Sequence, residues 1–336
     1  GQMASALTYP LFENGHEVRL VGSPLDDQVI DRLREDNYHV NLLRILHDGI
    51  HYYKECEKEE AIQGADLIVC GVSSFGVDWF ADKILPILDE SVPVISVTKG
   101  MLDYEDGTMQ TYPEYWMSKL QEGSKQEIYA IGGPCTARDL ADHDPSFVGY
   151  CGPKMETLRW IRSLFATDYY VISLTLDVVG LECAVALKNG YALGTALAIG
   201  MAEKAGNDGI NHNNSEAALF QESVKEMLDL LRIVGGGVDN IMYAAGDLNV
   251  TVAAGRSRTV GLLLGKGLSI DEVMEQLKGQ TLEAVVIATR TARAVKALAK
   301  AGKVKESDFP LLMHVNALLN EGATLNIPWT DFQKEM

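Results

Sequence analysis

The sequence predicts an α/β domain built on a doubly wound parallel sheet, followed by an all-helical domain. Three observations carry that reading. Up to about residue 176, short β-rich runs alternate with helical stretches, the rhythm of strands joined by crossover helices. Beyond that point strand-like runs vanish and long helical patterns take over. A length of 336 residues suits about two domains, here expected as 1–176 and 177–336.

In the first part, 17–22, 66–72, 92–98 and 127–133 are nearly continuous in apolar residues, as strands covered on both faces are. The runs 147–151 and 169–175 add later strands, and 4–14, 24–35 and 76–89 have helical character. In the second part, helices are expected over 178–205, 214–235, 238–246, 270–277, 281–301 and 309–321. The polar stretch 206–215 reads as a loop between two of them.

Composition narrows the function. The formal net charge of −18 argues against a nucleic-acid or anionic-membrane surface. Any anionic small molecule must then be held by a few local cations, so the position of each lysine and arginine carries information. Five widely spaced cysteines without a CxxC pair read as reduced thiols, and seven histidines show no metal-ligand spacing, so no metal site is expected. The apolar stretch 171–202 is interrupted by Asp177, Glu182 and Lys188, too polar for a membrane span. A soluble, cytoplasmic protein is expected.

The opening "GQMASALTYPLFENGHEVRLVG" fits part of a pyrophosphate-binding turn. Gly1 and Ala4 match the second and third small residues of GxGxxG/A, ahead of a helix and the strand 17–22; either the first glycine and first strand are expected before residue 1, or the segment is an ordinary N-terminal helix, and the strand–helix rhythm behind it favours the former. At the end of that strand the sequence reads Ser23, then Asp26 and Asp27, with no Lys or Arg between 20 and 31, which leans to NAD over NADP.

Residues 181–206 form a long apolar helical pattern with Lys188 in its middle. Ala186, Gly190, Gly194, Ala198 and Ala202 recur every four residues as a stripe suited to close helix packing, and Lys188 is out of register with it. A lysine in such surroundings either snorkels to water or meets a partner that justifies its charge. Asp247 could cap a helix end or stand beside that lysine. Arg256 and Arg258 form either a surface ion-paired cluster or a phosphate clamp. Lys99 follows a buried strand at the sheet edge where open α/β folds bind ligands.

Several segments, in order, resemble the NAD(P)-dependent sn-glycerol-3-phosphate dehydrogenases over essentially the whole chain. "VSSFGV" (72–77) and "SVTKGM" (96–101) resemble the family's loops after the third and fourth strands. "GGPCTARDLA" (132–141) resembles its GPxxAxE segment with Asp139 for the glutamate. "ALKNGYALGTALAIG" (186–200), "NNSEAALFQESVKEM" (213–227) and "AAGDLNVTVAAGRSRTVGLLLGKG" (244–267) match further segments. The resemblance implies a Rossmann-type first domain and Lys188 as the catalytic acid/base, with Asp247 beside it and Lys99 as a second active-site lysine. It further implies substrate contacts from Asn189, Thr251 and Arg256, with Ser257 where the family has asparagine. Implied cofactor contacts are Gly1, Gln2, Met3, Ala4, Ser23, Ser73, Lys99, Ala137, Arg256 and Glu283. The segment 279–295 is about one helical turn longer than the family's equivalent.

The expected activity is hydride transfer between sn-glycerol 3-phosphate and dihydroxyacetone phosphate, with NAD or NADP as cofactor and a homodimer as the assembly. Two other readings stay open: a related dehydrogenase for another small phosphorylated ketone or polyol, and a catalytically silent nicotinamide-binding sensor.

Overall fold

The computed structural model describes residues 1–206, 213–280 and 282–333. The core of the stretch expected as a loop at 206–215 therefore lies outside the described residues. The described chain divides into two compact units, Gly1–Lys99 with Tyr112–Val178, and Gly100–Thr111 with Val179–Met336.

The first unit opens with α1 (Gln2–Ala6) and α2 (Thr8–Glu13), followed by β1 (Arg19–Val21) and α3 (Asp27–Asp36). The expected helix 4–14 is divided at Leu7, which keeps a helical backbone. Three residues on, Pro10 lacks the N–H that would bond back to Ala6. Three short strands follow: β2 (Tyr38–His39), β3 (Arg44–Ile45) and β4 (His51–Tyr53). Next come α4 (Lys58–Ile62), β5 (Ile68–Cys70), α5 (Val77–Lys83) and β6 (Val94–Ser96). The expected helix 76–89 ends early in a 3-10 turn, Leu85–Ile87, because Pro86 cannot continue an α-helical ladder. The hairpin strands β7 (Met101–Asp103) and β8 (Met109–Thr111) come next in the chain and group with the second unit. The first unit resumes with α6 (Tyr112–Lys119), β9 (Ile128–Gly132), α7 (Ala137–Ala141), β10 (Ser146–Cys151), α8 (Met155–Phe165) and β11 (Tyr170–Thr175).

Its main sheet runs β11-β10-β9-β6-β5, parallel at every junction except β9–β10. Strand β1 pairs in parallel with β4, Leu20 opposite Tyr52, as a separate two-stranded sheet. Val94, Ile95, Ile128, Tyr129 and Ala130 are wholly buried, which explains why the central strands read as unbroken apolar runs. The strands at 38–39, 44–45, 51–53 and in the 101–111 hairpin show no such run, because each is short and only partly buried.

The second unit is built around α9 (Val178–Lys204), followed by α10 (Asn213–Ile233), α11 (Ile241–Ala253), α12 (Arg256–Gly265), α13 (Ile270–Gln276), α14 (Glu283–Lys300) and α15 (Pro310–Asn320). Helix α9 is buried on nearly every side, so it lacks an amphipathic face and serves as the central post. Of the expected stripe, Gly190 faces Ala288 on α14 and Gly194 faces Leu311 and Val315 on α15, at distances a methyl group would crowd. The tightest approach lies elsewhere. A Cβ at Gly200 would fall 2.1 Å from the Leu262 carbonyl oxygen, one at Gly261 2.2 Å from that of Leu193, and one at Gly265 2.4 Å from that of Leu197. The spacing "GLLLG" (261–265) thus lets α12 lie backbone-to-backbone against α9. The 101–111 hairpin rests on α14, where Arg290 donates to the Met101 carbonyl at 2.7 Å and Arg293 pairs with Asp103 at 2.8 Å.

Glu226 of α10 caps α15 from the side. Its two oxygens accept the Leu311 and Leu312 N–H groups at 2.7 and 3.0 Å, and Tyr191 donates its hydroxyl at 3.0 Å. Those N–H groups are among the donors a helix start leaves unsatisfied. Among the described residues, no helix is long and apolar enough to cross a membrane.

Two expectations follow. Gly200→Ala should gain about 1 kcal/mol of helix propensity yet destabilise the chain by about 1–3 kcal/mol through overpacking against Leu262, read as a lower urea midpoint; an unchanged midpoint would refute the close approach. Burial pushes the Glu226 carboxyl up to about 8, against backbone hydrogen bonds that lower it. A group whose folded pKa lies above its unfolded value binds more protons when folded, so its contribution is full in acid and declines as pH rises toward about 8. Comparing wild type with Glu226→Gln across pH 5 to 8, the wild type should lose stability relative to the variant by about 1.4 kcal/mol per pH unit at most. A parallel pair of curves would count against this.

Candidate active site

Lys188 projects from the middle of α9 toward α11. Its Nζ lies 2.9 Å from Asp247 Oδ1 and donates to Thr251 Oγ1 at 2.7 Å, while the Thr251 hydroxyl donates to the Asp247 carbonyl at 2.7 Å. Asp247 and Thr251 are four residues apart, so they share one face of α11 and present a carboxylate and a hydroxyl side by side. The side chains of Lys188 and Asp247 retain only 12% and 3% exposure. Taking an ion pair this far out of water costs several kcal/mol before the mutual attraction repays it. Apolar residues would fill the same space more cheaply, and what the pair provides in return is an ammonium held in one direction between a carboxylate and a hydroxyl.

The next residue on α9, Asn189, accepts the Ser257 hydroxyl on Oδ1 at 3.4 Å. Ser257 is buried in the first turn of α12, and Arg256 beside it is exposed. The turn entering this helix is made by Gly255 at φ 119°, ψ 174°, a conformation essentially closed to residues with a Cβ. No acidic residue occupies the first turn. Its free N–H groups, the helix dipole and the Arg256 guanidinium together suit a phosphate. Lys188, Asp247, Thr251, Asn189, Ser257 and Arg256 thus form one connected group on α9, α11 and α12. Glu283, implied for the cofactor, opens α14 in the same unit.

The remaining implied residues stand in the first unit. Gly1, Gln2, Met3 and Ala4 form the start of α1, which meets the end of β5 closely. A Cβ on Gly1 would come 2.6 Å from the Gly71 carbonyl oxygen, and one on Gly71 would come 2.3 Å from the Ala4 Cβ. This is the helix-against-strand packing that the small residues of a dinucleotide turn permit, so these residues fit such a cofactor. Ser23 follows β1, and Ser73 precedes the 3-10 turn Ser74–Gly76 after β5. Lys99, just past β6, donates from Nζ to the Gly133 carbonyl at 3.1 Å, bridging to the loop after β9. Ala137 begins α7 behind Thr136, whose hydroxyl caps the helix by accepting the Asp139 N–H at 3.2 Å. Ser23, Ser73, Lys99 and Ala137 therefore follow the carboxyl ends of β1, β5, β6 and β9.

Sequence reasoning missed Gly71 and Gly133, the partners of Ala4 and Lys99. Both lie within the apolar runs 66–72 and 127–133, where nothing in the local pattern marks them as contacts of Ala4 and Lys99. It also missed α12 as a helix, because Gly261 and Gly265 lower helix propensity where the backbone needs them. Among the described residues, no cluster of three or more His, Cys, Asp or Glu could hold a metal ion.

Comparison with known proteins bears on this arrangement. Residues 1–156 match the family model of the NAD-dependent glycerol-3-phosphate dehydrogenase N-terminus, and residues 177–328 that of its C-terminus. A relative from Archaeoglobus fulgidus, an NADP(+)-dependent glycerol-3-phosphate dehydrogenase, is 30% identical over 96% of this chain and 93% of its own. A glycerol-3-phosphate dehydrogenase [NAD(P)+] of Streptococcus thermophilus is 28% identical over 85% of this chain and 81% of its own. The crystal structure of glycerol-3-phosphate dehydrogenase from Coxiella burnetii shares the fold with a TM-score of 0.78 at 22% identity, covering 99% of this chain and 95% of that one. Two family models spanning almost the whole chain, with a relative that matches it nearly end to end, place this protein in the NAD-dependent glycerol-3-phosphate dehydrogenase family.

Proposed function

We propose that this chain interconverts sn-glycerol 3-phosphate and dihydroxyacetone phosphate, with NAD or NADP as its cofactor. The observation that carries the reading is the buried Lys188 ammonium, held by Asp247 and Thr251 and linked through Asn189 and Ser257 to the phosphate-suited start of α12. A proton carrier and an anion clamp on neighbouring positions are what a small phosphorylated ketone needs.

When bound, the dinucleotide supplies or takes up the hydride. In the reducing direction Lys188 Nζ gives a proton to the substrate's C2 oxygen; in the oxidising direction it takes that proton back. Asp247 balances the ammonium charge, and Thr251 fixes its direction by accepting from Nζ while donating to the Asp247 carbonyl. Arg256 holds the phosphate with the first-turn N–H groups of α12 and the Ser257 hydroxyl, and the Asn189 amide orients the substrate. Lys99 serves as a second cation near the nicotinamide, steadied by Gly133. Gly1, Gln2, Met3, Ala4, Ser23, Ser73, Ala137, Arg256 and Glu283 contact the cofactor. By family resemblance, the reading includes a homodimer located in the cytoplasm.

The direct test is steady-state turnover of the purified chain on dihydroxyacetone phosphate with NADH and with NADPH; no oxidation of either would overturn the assignment. In the same assay, Lys188→Ala should lower kcat by about 10²–10⁴-fold while NADH binding stays close to wild type. A variant retaining most of its turnover would remove Lys188 from the proton path. Arg256→Ala should raise KM for dihydroxyacetone phosphate by about tenfold or more, with a smaller change in kcat. An unchanged KM would take the phosphate away from Arg256.

A further inference from the structure

The residues after the second strand of a doubly wound dinucleotide fold meet the adenosine ribose, and the charge found there separates NAD from NADP. In this chain that place is the end of β1, at Gly22 and Ser23, and it is occupied by a carboxylate. Ser23 donates both its backbone N–H, at 2.9 Å, and its hydroxyl, at 2.6 Å, to the same oxygen of Asp26, Oδ2. The Asp26 N–H in turn donates to the Ser23 carbonyl at 2.9 Å. The loop is also packed from below: a Cβ on Gly22 would come 2.9 Å from Ile30 Cγ1 and 3.2 Å from Asp26 Cβ. The carboxylate is therefore held over the strand end.

The positive charge that acts on it is the Gly1 amino group; the side-chain cations of the neighbouring elements are paired elsewhere. Asp27 follows directly, and no lysine or arginine occurs between 20 and 31. Lys54, one residue beyond β4, pairs with Asp31 at 2.7 Å. Arg34 on α3 is taken by Glu57 at 2.5 Å and by the Tyr52 carbonyl at 2.8 Å. His39 accepts the Leu42 N–H on Nδ1 at 3.1 Å, and burial lowers its pKa, so it faces Asp26 as a neutral ring. Burial alone would raise the Asp26 carboxyl, yet the Gly1 amino group and then Ser23's two hydrogen bonds bring it below its ordinary value, so it is ionised at neutral pH.

We propose that Asp26 makes this chain selective for NAD(H) over NADP(H). Its carboxylate offers an acceptor to the ribose diol and repels a 2′-phosphate, while the two Ser23 donors that a phosphate would recruit are already committed to Asp26. The proposal rests on reading the first unit as the dinucleotide-binding domain.

The test is a binding titration of the full chain with NADH and NADPH separately, followed by nucleotide fluorescence, on wild type, Asp26→Asn and Asp26→Ser. Both substitutions keep a residue type that suits the position before α3. Wild type should bind NADH at least about tenfold more tightly than NADPH, since placing like charges together is costly. Each variant should shrink that ratio by about tenfold, gaining NADPH affinity and losing NADH affinity. Wild-type affinities that are equal, or that favour NADPH, overturn the selectivity and leave the cofactor reading intact. Variants that weaken both dinucleotides equally overturn it as well, because Asp26 would then only brace its loop. If wild type binds neither dinucleotide, the cofactor reading itself falls and the selectivity falls with it.

Discussion

The second unit depends on one constraint: an ammonium inside a helix that is otherwise closed to water. Helix α9 is surrounded by neighbours along nearly its whole length, and Lys188 is the charge it must accommodate at its centre. Neutralising that charge requires Asp247 within contact distance, which fixes the rotation of α11 about its axis. The four-residue spacing then brings Thr251 into reach of the same Nζ. Asn189, one residue further along α9, ties in Ser257 and with it the start of α12. Several helices are positioned by the needs of one side chain.

Small residues make this affordable in space. Gly200, Gly261 and Gly265 let α12 approach the backbone of α9 without intervening side chains, and Gly255 turns the chain into α12 in a conformation that residues with a Cβ avoid. Each glycine weakens its helix locally, and close packing offsets that cost. The buried Glu226 performs a different service, supplying hydrogen-bond acceptors to the first turn of α15 where Pro310 and Phe309 offer no side-chain cap.

The two units hold different kinds of binding chemistry. In the first, residues implied for the cofactor follow the carboxyl ends of successive strands, where backbone groups point out of the sheet and α1 can press against β5 through Gly1, Ala4 and Gly71. In the second, side chains on facing helices supply a buried Lys188–Asp247 pair and a cationic start of α12, the two features on which the proposed chemistry rests. Membership in the NAD-dependent glycerol-3-phosphate dehydrogenase family accounts for both within one chain.

Much of this was legible in the linear chain. Buried strands such as β6 and β9 announce themselves because both faces are covered and every side chain must be apolar. Helix α9 announces itself by its length and small-residue spacing. Lys188, Asp247 and Arg256 stand out as charges in apolar or glycine-rich surroundings. Other features are pairings between distant segments, and local pattern carries no trace of them. The antiparallel junction of β9 with β10, the pairing of β1 with β4 and the docking of the 101–111 hairpin on α14 are of this kind. So are the seating of Ala4 against Gly71 and the rotation that turns Asp247 toward Lys188. Residue type and periodicity determine which side chains must be buried and which backbone positions must be small. Which partner each one meets depends on long-range packing, because a buried charge or an exposed carbonyl is satisfied by whichever group the folded chain brings within 3 Å.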